Sequence, residues 1–343
     1  MSFTAKPLVI SAPHPRTIDL IFSDSHREIL FDKYEVIEVE ADDVNVLSDG
    51  ILSRVRYIIG QPPLSLKTLR NMPHLKCILN VESNLFDNMP YEYLFENGIH
   101  VVTTGAVFAQ PVAEMGLAMA LCLARDVIDA DLDFRNGREL WGGDGNASAR
   151  LISGSKVGII GFGDLGRSLT QILSGFRTEI SVFDPWLPPS LLKDQGVNPV
   201  KLDEVLRNSD YVFVVASVTS ENKGFLNAEA FATMKKGAAL ILLSRADVVD
   251  FDDLMASVSS GHILAASDVF PDEPMAADHP VRNLKGFLRS AHRAGALESA
   301  FKKMGDMVLE DMTLMDQGLP PMLCKRAERE TVSRMRSKPV KQN

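Results

Sequence analysis

The chain has 343 residues, 45% of them hydrophobic and 24% charged, which is enough material for two ordinary globular cores. Its formal net charge of -9 excludes the basic excess that a nucleic-acid surface needs. Its cysteines, Cys77, Cys122 and Cys324, are far apart and odd in number, so they form neither a disulfide framework nor a metal spacing. Cys77 and Cys122 lie in apolar runs and are expected to be buried thiols in a reducing compartment. The opening MSFTAKPLVISAPHP lacks the charged-then-apolar pattern of a signal peptide, so a cytoplasmic location is expected.

Residues 17–104 alternate short apolar runs with amphipathic stretches. Strands are expected at TIDLIF (17–22), EVIEVE (35–40), YIIGQ (57–61), KCILN (76–80) and HVVTT (100–104). Helical patterns such as SHREILFDKY and SLKTLRNM lie between them, and this alternation implies a parallel sheet covered on both faces. From 110 to about 127, QPVAEMGLAMALCLARDV is apolar on most faces. It reads as a long buried helix, a hinge or subunit contact, too short and too flanked by charge for a membrane span.

A second alternating series starts at Lys156. Its expected strands are KVGIIGF, TEISVFD (178–184), YVFVVAS (211–217), AALILLS (238–244), ILAASDVF (263–270) and GFLRS (286–290). Residues 296–318 have helical periodicity, and the basic, polar tail after Pro320 is expected on the surface.

Gly161-Phe-Gly163-Asp-Leu-Gly166 follows the apolar run Val157–Ile160 and opens the helical pattern RSLTQILSGF. A glycine-rich turn alone is common, but here both flanks fit a dinucleotide site. Gly161 permits the tight turn, Gly163 lets the backbone approach a pyrophosphate, and Gly166 lets helix and strand pack closely. The helix start presents free N–H groups to the phosphates. Asp184 ends the next strand 18 positions after Gly166, where an acidic residue accepts hydrogen bonds from ribose hydroxyls. The following Pro185-Trp186 offers no arginine to a 2′-phosphate, so NAD is the expected cofactor. Asp164 puts a carboxylate beside the pyrophosphate, a cost in affinity unless its side chain turns to solvent. Trp141 and Trp186 read as packing or pocket-wall residues.

Reducing a 2-oxo acid needs a cation for the substrate carboxylate, an acid for the developing alkoxide, and a partner that keeps the acid charged. Arg245 in LLSRADVVD, Glu273 in SDVFPDEP and His292 in LRSAHRAG offer these groups. All three follow strand ends, where open α/β sheets place their ligand crevice. His279 reads as a loop residue that packs or caps. No group of residues reads as a metal site.

In these motifs the chain resembles the D-isomer-specific 2-hydroxyacid dehydrogenases, which include phosphoglycerate, formate and phosphite dehydrogenases and glyoxylate/hydroxypyruvate reductases. The resemblance covers nearly the whole chain and rests on PVAEMGLAMALCLAR, KVGIIGFGDLG, LLSRADVVD, AASDVFPDEPMAADHPV and SAHRAG, in the family's order. It implies two Rossmann-like or flavodoxin-like α/β domains with parallel sheets and an active site in the cleft between them. The substrate domain would be 1–104 plus 297–343, and the NAD domain 105–296. It implies that Arg245 binds the substrate carboxylate and carbonyl, that His292 is the general acid/base, and that Glu273 pairs with it. A carboxylate beside an imidazole favours the imidazolium, which keeps the acid protonated near neutral pH. The backbone at Asp164 and Leu165 would meet the pyrophosphate. The backbone at Leu243 and Ser244 would fix the nicotinamide ring, and Asp268 would bond its carboxamide. A homodimer paired through the nucleotide domains and residues 110–150 is also implied.

The chain departs from the family pattern in the loop that grips the substrate carboxylate. Here it reads Asn80-Val81-Glu82-Ser83-Asn84, with no glycine to take a positive φ. Glu82, Ser83 and Asn84 are the candidate substrate contacts, and Glu82 would repel an anion if it pointed inward. Ala246 stands where the family has Gly, Ala291 where it often has Pro, and Ser217 where Pro is frequent. A second reading, a non-catalytic NAD(H)-sensing protein of the corepressor type, uses the same fold.

Overall fold

Leu8, Val9 and Ile10 are each at most 1% exposed, and their run opens the first strand, β1 (Leu8–Ser11). The sequence pattern placed the first strand at 17–22 instead. That segment holds a short helix, Ile18–Ile21, because Thr17 caps it by accepting the Leu20 N–H at 3.2 Å. Ile18 and Ile21, three apart, share its buried face. The computed structural model describes residues 6–219 and 222–333. They form two α/β units, one made of the residues up to Phe108 and those from Ala296 onward, the other running from Ala109 to Gly295.

In the first unit β2 (Glu35–Glu38), β3 (Val55–Ile59), β4 (Cys77–Asn80) and β5 (His100–Thr103) join β1 in the order β5-β4-β3-β1-β2, all parallel. Every residue of β1 and β4 is buried, as a parallel sheet covered on both faces demands. Gly105–Phe108 packs with this unit, and Phe108 meets Phe301 edge-on at 6.4 Å. The unit boundary therefore falls after Phe108, four residues beyond the expected one.

The second unit holds β6 (Lys156–Ile160), β7 (Glu179–Phe183), β8 (Asn198–Pro199), β9 (Tyr211–Val214), β10 (Ala239–Leu242), β11 (Leu264–Ser267) and β12 (Phe287–Arg289). Their order is β12-β11-β10-β9-β6-β7-β8, all parallel. The chain reverses its direction of travel across the sheet at β6, which lies between β7 and β9. Such a switch point leaves a crevice at the strands' C-terminal ends.

The Ala109–Arg125 helix buries Val112, Ala113, Gly116, Met119 and Ala120. They face the Asp164–Leu173 helix, β10 and β11. Together with the turn before it, the stretch Gly105–Arg125 is long and apolar enough to span a membrane by length and composition alone, but this packing makes it a core helix with one open side. No residue of the following helix, Val127–Arg135, is buried. Phe134 and Trp141 meet edge to face while staying 61% and 75% exposed, so Trp141 packs only on a surface ring and not in a core. Trp186 is also exposed.

The Glu298–Asp316 helix returns to the first unit with Met304, Val308, Met312 and Met315 in its core. The chain then adds β13 (Lys325–Arg326) antiparallel to β5. Residues 321–333 are thus partly built into the unit, whereas a surface tail was expected; 334–343 lie outside the described residues. The cause is Asp311, which is fully buried. Its Oδ1 accepts the N–H groups of Met322 and Leu323 at 2.7 and 3.0 Å, and its Oδ2 that of Cys324 at 2.9 Å. Cys77 and Cys324 are buried and burial pushes both thiols up, while Cys122, expected inside, is only half-buried.

Asp311→Ala would leave three N–H groups without their acceptor, at a cost of about 3 kcal/mol. Thermal unfolding followed by circular dichroism should show a midpoint lowered by about 5–10 °C.

Candidate active site

The turn after β6 takes the form the glycine spacing predicts. Gly161 has a φ of +92°, and a Cβ there would lie 2.6 Å from the Ala216 Cα. At Gly166 a Cβ would come within 2.6 Å of the Gly161 carbonyl oxygen, so helix and strand touch there. Around Gly163 nothing stands within 4 Å of that position. Gly163 is the N-cap of the Asp164–Leu173 helix and no side chain caps it. The N–H groups of Asp164 and Leu165 thus begin a helix beside open space, an arrangement that suits a pyrophosphate. The Asp164 carboxylate turns toward Arg167, 3.6 Å away, which offsets its charge.

Asp184, just past β7, uses both carboxylate oxygens locally. Oδ2 accepts the Phe162 N–H at 2.8 Å and Oδ1 the Trp186 N–H at 2.9 Å. The residue therefore ties the glycine turn to the end of β7, and each oxygen keeps a lone pair for a further donor.

After β10 come Leu243 and Ser244, 4% and 8% exposed. The Ser244 Oγ is buried with no hydrogen-bond partner, which fits a ligand group seated against it. Half-buried Arg245 donates from Nη1 to the Ser244 carbonyl at 2.7 Å. Ala246 has no positive φ, so the family's glycine is not needed there. Ser217 and Ala291 are exposed, and nothing in the structure explains either departure.

Asp268 follows β11 and is 1% exposed. Its Oδ1 accepts the Arg293 N–H at 3.0 Å and its Oδ2 the Ala294 N–H at 2.9 Å. Its own carbonyl takes the His292 N–H at 2.7 Å. Three successive N–H groups are thus gathered on one residue. They hold His292 in the left-handed region, φ +48°, a conformation that costs an L-residue about 1 kcal/mol. The sequence pattern does not reveal this clamp.

His292 Nδ1 and Glu273 Oε2 lie 2.6 Å apart, with the two side chains 41% and 28% exposed. Glu273 Oε1 accepts the Phe270 N–H at 2.8 Å. Burial alone would raise the Glu273 pKa. The hydrogen bonds from His292 and Phe270, with the charges of His292 and Arg245, outweigh it and hold the carboxyl below its usual range. Glu273 is therefore ionised at neutral pH. With Nδ1 engaged, Nε2 is the ring atom available for proton transfer. His279 accepts the Val281 N–H at 3.2 Å and caps a turn. Among the described residues no group of three or more His, Cys, Asp or Glu side chains is placed to hold a metal ion.

In the first unit, the loop 80–84 leaves β4. None of its residues has a positive φ, so no glycine is required. Side-chain amides shape it instead. Asn80 Oδ1 accepts the Glu82 N–H at 2.7 Å, and Asn80 Nδ2 donates to Gln61 Oε1 and to the Asn84 carbonyl at 2.7 and 2.8 Å. Glu82 is not a bare carboxylate, because its Oε1 lies 2.9 Å from Arg16 Nη2. Gln61 and Asn80 were visible as polar residues ending apolar runs. Arg16, 65 positions before Val81, whose carbonyl it also bonds, gave no such signal.

The D-isomer specific 2-hydroxyacid dehydrogenase NAD-binding domain family matches residues 117–294. A crystal structure of a phosphoglycerate oxidoreductase from Rhizobium etli is 68% identical, covers 94% of this chain and 99% of that one, and superposes with a TM-score of 0.89. A glyoxylate reductase of Thermococcus onnurineus is 28% identical over 312 residues, 87% of this chain and 92% of the relative. D-3-phosphoglycerate dehydrogenase of Bacillus subtilis is 30% identical over 241 residues, 69% of this chain and 44% of the relative. With the glycine turn, the strand order and these likenesses together, the chain belongs to the D-isomer-specific 2-hydroxyacid dehydrogenases, NAD-dependent oxidoreductases.

Proposed function

We propose that the protein interconverts a 2-oxo acid and its D-2-hydroxy acid, with Arg245, Glu273 and His292 as the catalytic set. The observation that carries this reading is the 2.6 Å contact between His292 and an ionised Glu273. NAD(H), when bound, supplies or accepts the hydride. In reduction His292 Nε2 gives its proton to the carbonyl oxygen, and in oxidation it takes the proton back. Glu273 holds Nδ1, fixes the ring's orientation and balances the imidazolium charge. Arg245 grips the substrate carboxylate through its planar fork.

In this reading the pyrophosphate lies at Gly161, Gly163, Asp164, Leu165 and Gly166, with the ribose on Asp184. Leu243, Ser244 and Asp268 meet the nicotinamide end, which the unpartnered Ser244 Oγ supports. Glu82, Ser83 and Asn84 contact the substrate. The names of the relatives support a small anionic 2-oxo acid, such as glyoxylate or a phosphorylated three-carbon acid. The exposed apolar residues of 127–141 support pairing of two copies through that stretch, and the free cysteines suit a cytoplasmic setting.

The following measurements test this. NADH oxidation across a panel of glyoxylate, pyruvate, hydroxypyruvate and 3-phosphohydroxypyruvate should show turnover with at least one. Cofactor binding with no oxidation would favour the NAD(H)-sensing reading instead. In the same assay NADH should exceed NADPH by at least about tenfold in kcat/KM, about 1.4 kcal/mol, and Asp184→Ala should narrow that gap.

His292→Gln should lower kcat by roughly 10²–10⁴-fold while NADH binding changes little. Glu273→Gln removes the charge that opposes loss of the His292 proton, so the alkaline limit of reduction should move to lower pH. A pH–rate profile that does not move would separate Glu273 from the acid. Trp141→Ser should weaken self-association, read by sedimentation of wild type and variant at equal concentration.

A further inference from the structure

We propose that Arg16 determines specificity by cancelling the acidic side chain that this chain carries in its substrate loop. The inference rests on the reading of residues 82–84 as substrate contacts. It adds a residue outside the family's motifs and says which substrates the altered loop admits.

Arg16 holds two consecutive residues of that loop. Its Nε donates to the Val81 carbonyl at 2.9 Å, and its Nη2 lies 2.9 Å from Glu82 Oε1. The guanidinium is fixed from its other side by aromatic rings, 4.6 Å from the Phe301 centroid and 5.7 Å from that of Phe108. The two charged side chains are only 14% and 22% exposed. At that depth charges are weakly screened, and a carboxylate without its partner would act strongly on any nearby anion. Paired, Glu82 and Arg16 together add no net charge to the loop. The loop therefore does not repel anionic 2-oxo acids as a bare carboxylate would.

The test is a comparison of Arg16→Met, Arg16→Lys and the double variant Arg16→Met/Glu82→Gln on the 2-oxo acid that the wild type turns over best. Arg16→Met keeps an unbranched apolar side chain beside the rings and removes the charge. It should raise the KM of the 2-oxo acid at least about tenfold, with the KM of NADH within about twofold. Adding Glu82→Gln should bring the KM back to within about threefold of the wild type, a rescue that lost packing would not show. An unchanged KM in folded Arg16→Met, or a double variant as poor as the single one, overturns the proposal. If Arg16→Met does not fold, Arg16→Lys decides, since it keeps the charge. Its KM should rise by about threefold or less, and a rise of tenfold or more overturns the charge account. Wild-type turnover is the separating control. No NADH oxidation by the wild type on any 2-oxo acid would sink the catalytic reading itself, whereas an active wild type with an indifferent Arg16 sinks only this inference.

Discussion

Parallel pairing is the constraint on which the rest depends. Strands that all run one way must be joined by crossovers, so every strand's C-terminal end opens into a loop on one edge of its sheet. In the second unit that edge collects the glycine turn after β6, Asp184 after β7, Arg245 after β10, Asp268 after β11 and His292 after β12. In the first unit the same edge carries Arg16 after β1, Gln61 after β3 and the loop 80–84 after β4. Within each unit, loop residues far apart in sequence gather on one edge because a parallel sheet leaves them no other side.

On that edge, polar groups are held by other polar groups rather than by packing. Asp268 gathers three N–H groups of the His292 loop, Asp184 ties the glycine turn to β7, and Asn80 with Gln61 shapes the loop after β4. Each is a short side chain with both ends committed, which suits sites where an error of an ångström weakens function. Asp311 does the same for the C-terminal segment. Charges are treated alike: Glu273 is ionised because His292, Phe270 and Arg245 together outweigh its burial, and Glu82 is matched by Arg16.

The order of elements was largely legible because buried parallel strands need unbroken apolar runs, and those stand out in KCILN, YVFVVAS and AALILLS. The failure at 17–22 has a local cause. TIDLIF suits a strand by composition, but Thr17 caps a helical turn and the neighbouring run LVIS takes the sheet position. The surface tail expected after Pro320 was misjudged because a single buried carboxylate, Asp311, draws that polar segment onto the sheet edge. The stretch 110–127 reads as buried by composition, yet only one side of its helix is covered.

The catalytic and cofactor-binding candidates were readable from sequence because their chemistry is bound to local spacing. A glycine turn needs its glycines at fixed intervals, and an acid at the end of the next strand follows from the length of one crossover. The unusual loop 80–84 showed the opposite. Its missing glycine read as a departure from the family loop, and Glu82 as a charge that would repel an anion if it pointed inward. The tertiary structure decided otherwise, since an all-negative-φ loop needs no glycine and Arg16 arrives from another strand end to pair the acid. Sequence by itself determined the fold and the cofactor and named the candidate reacting groups, all by short-range pattern. Which charges met, and which loop residues stayed available to a substrate, depended on contacts between distant segments that only the folded chain brings within 3 Å.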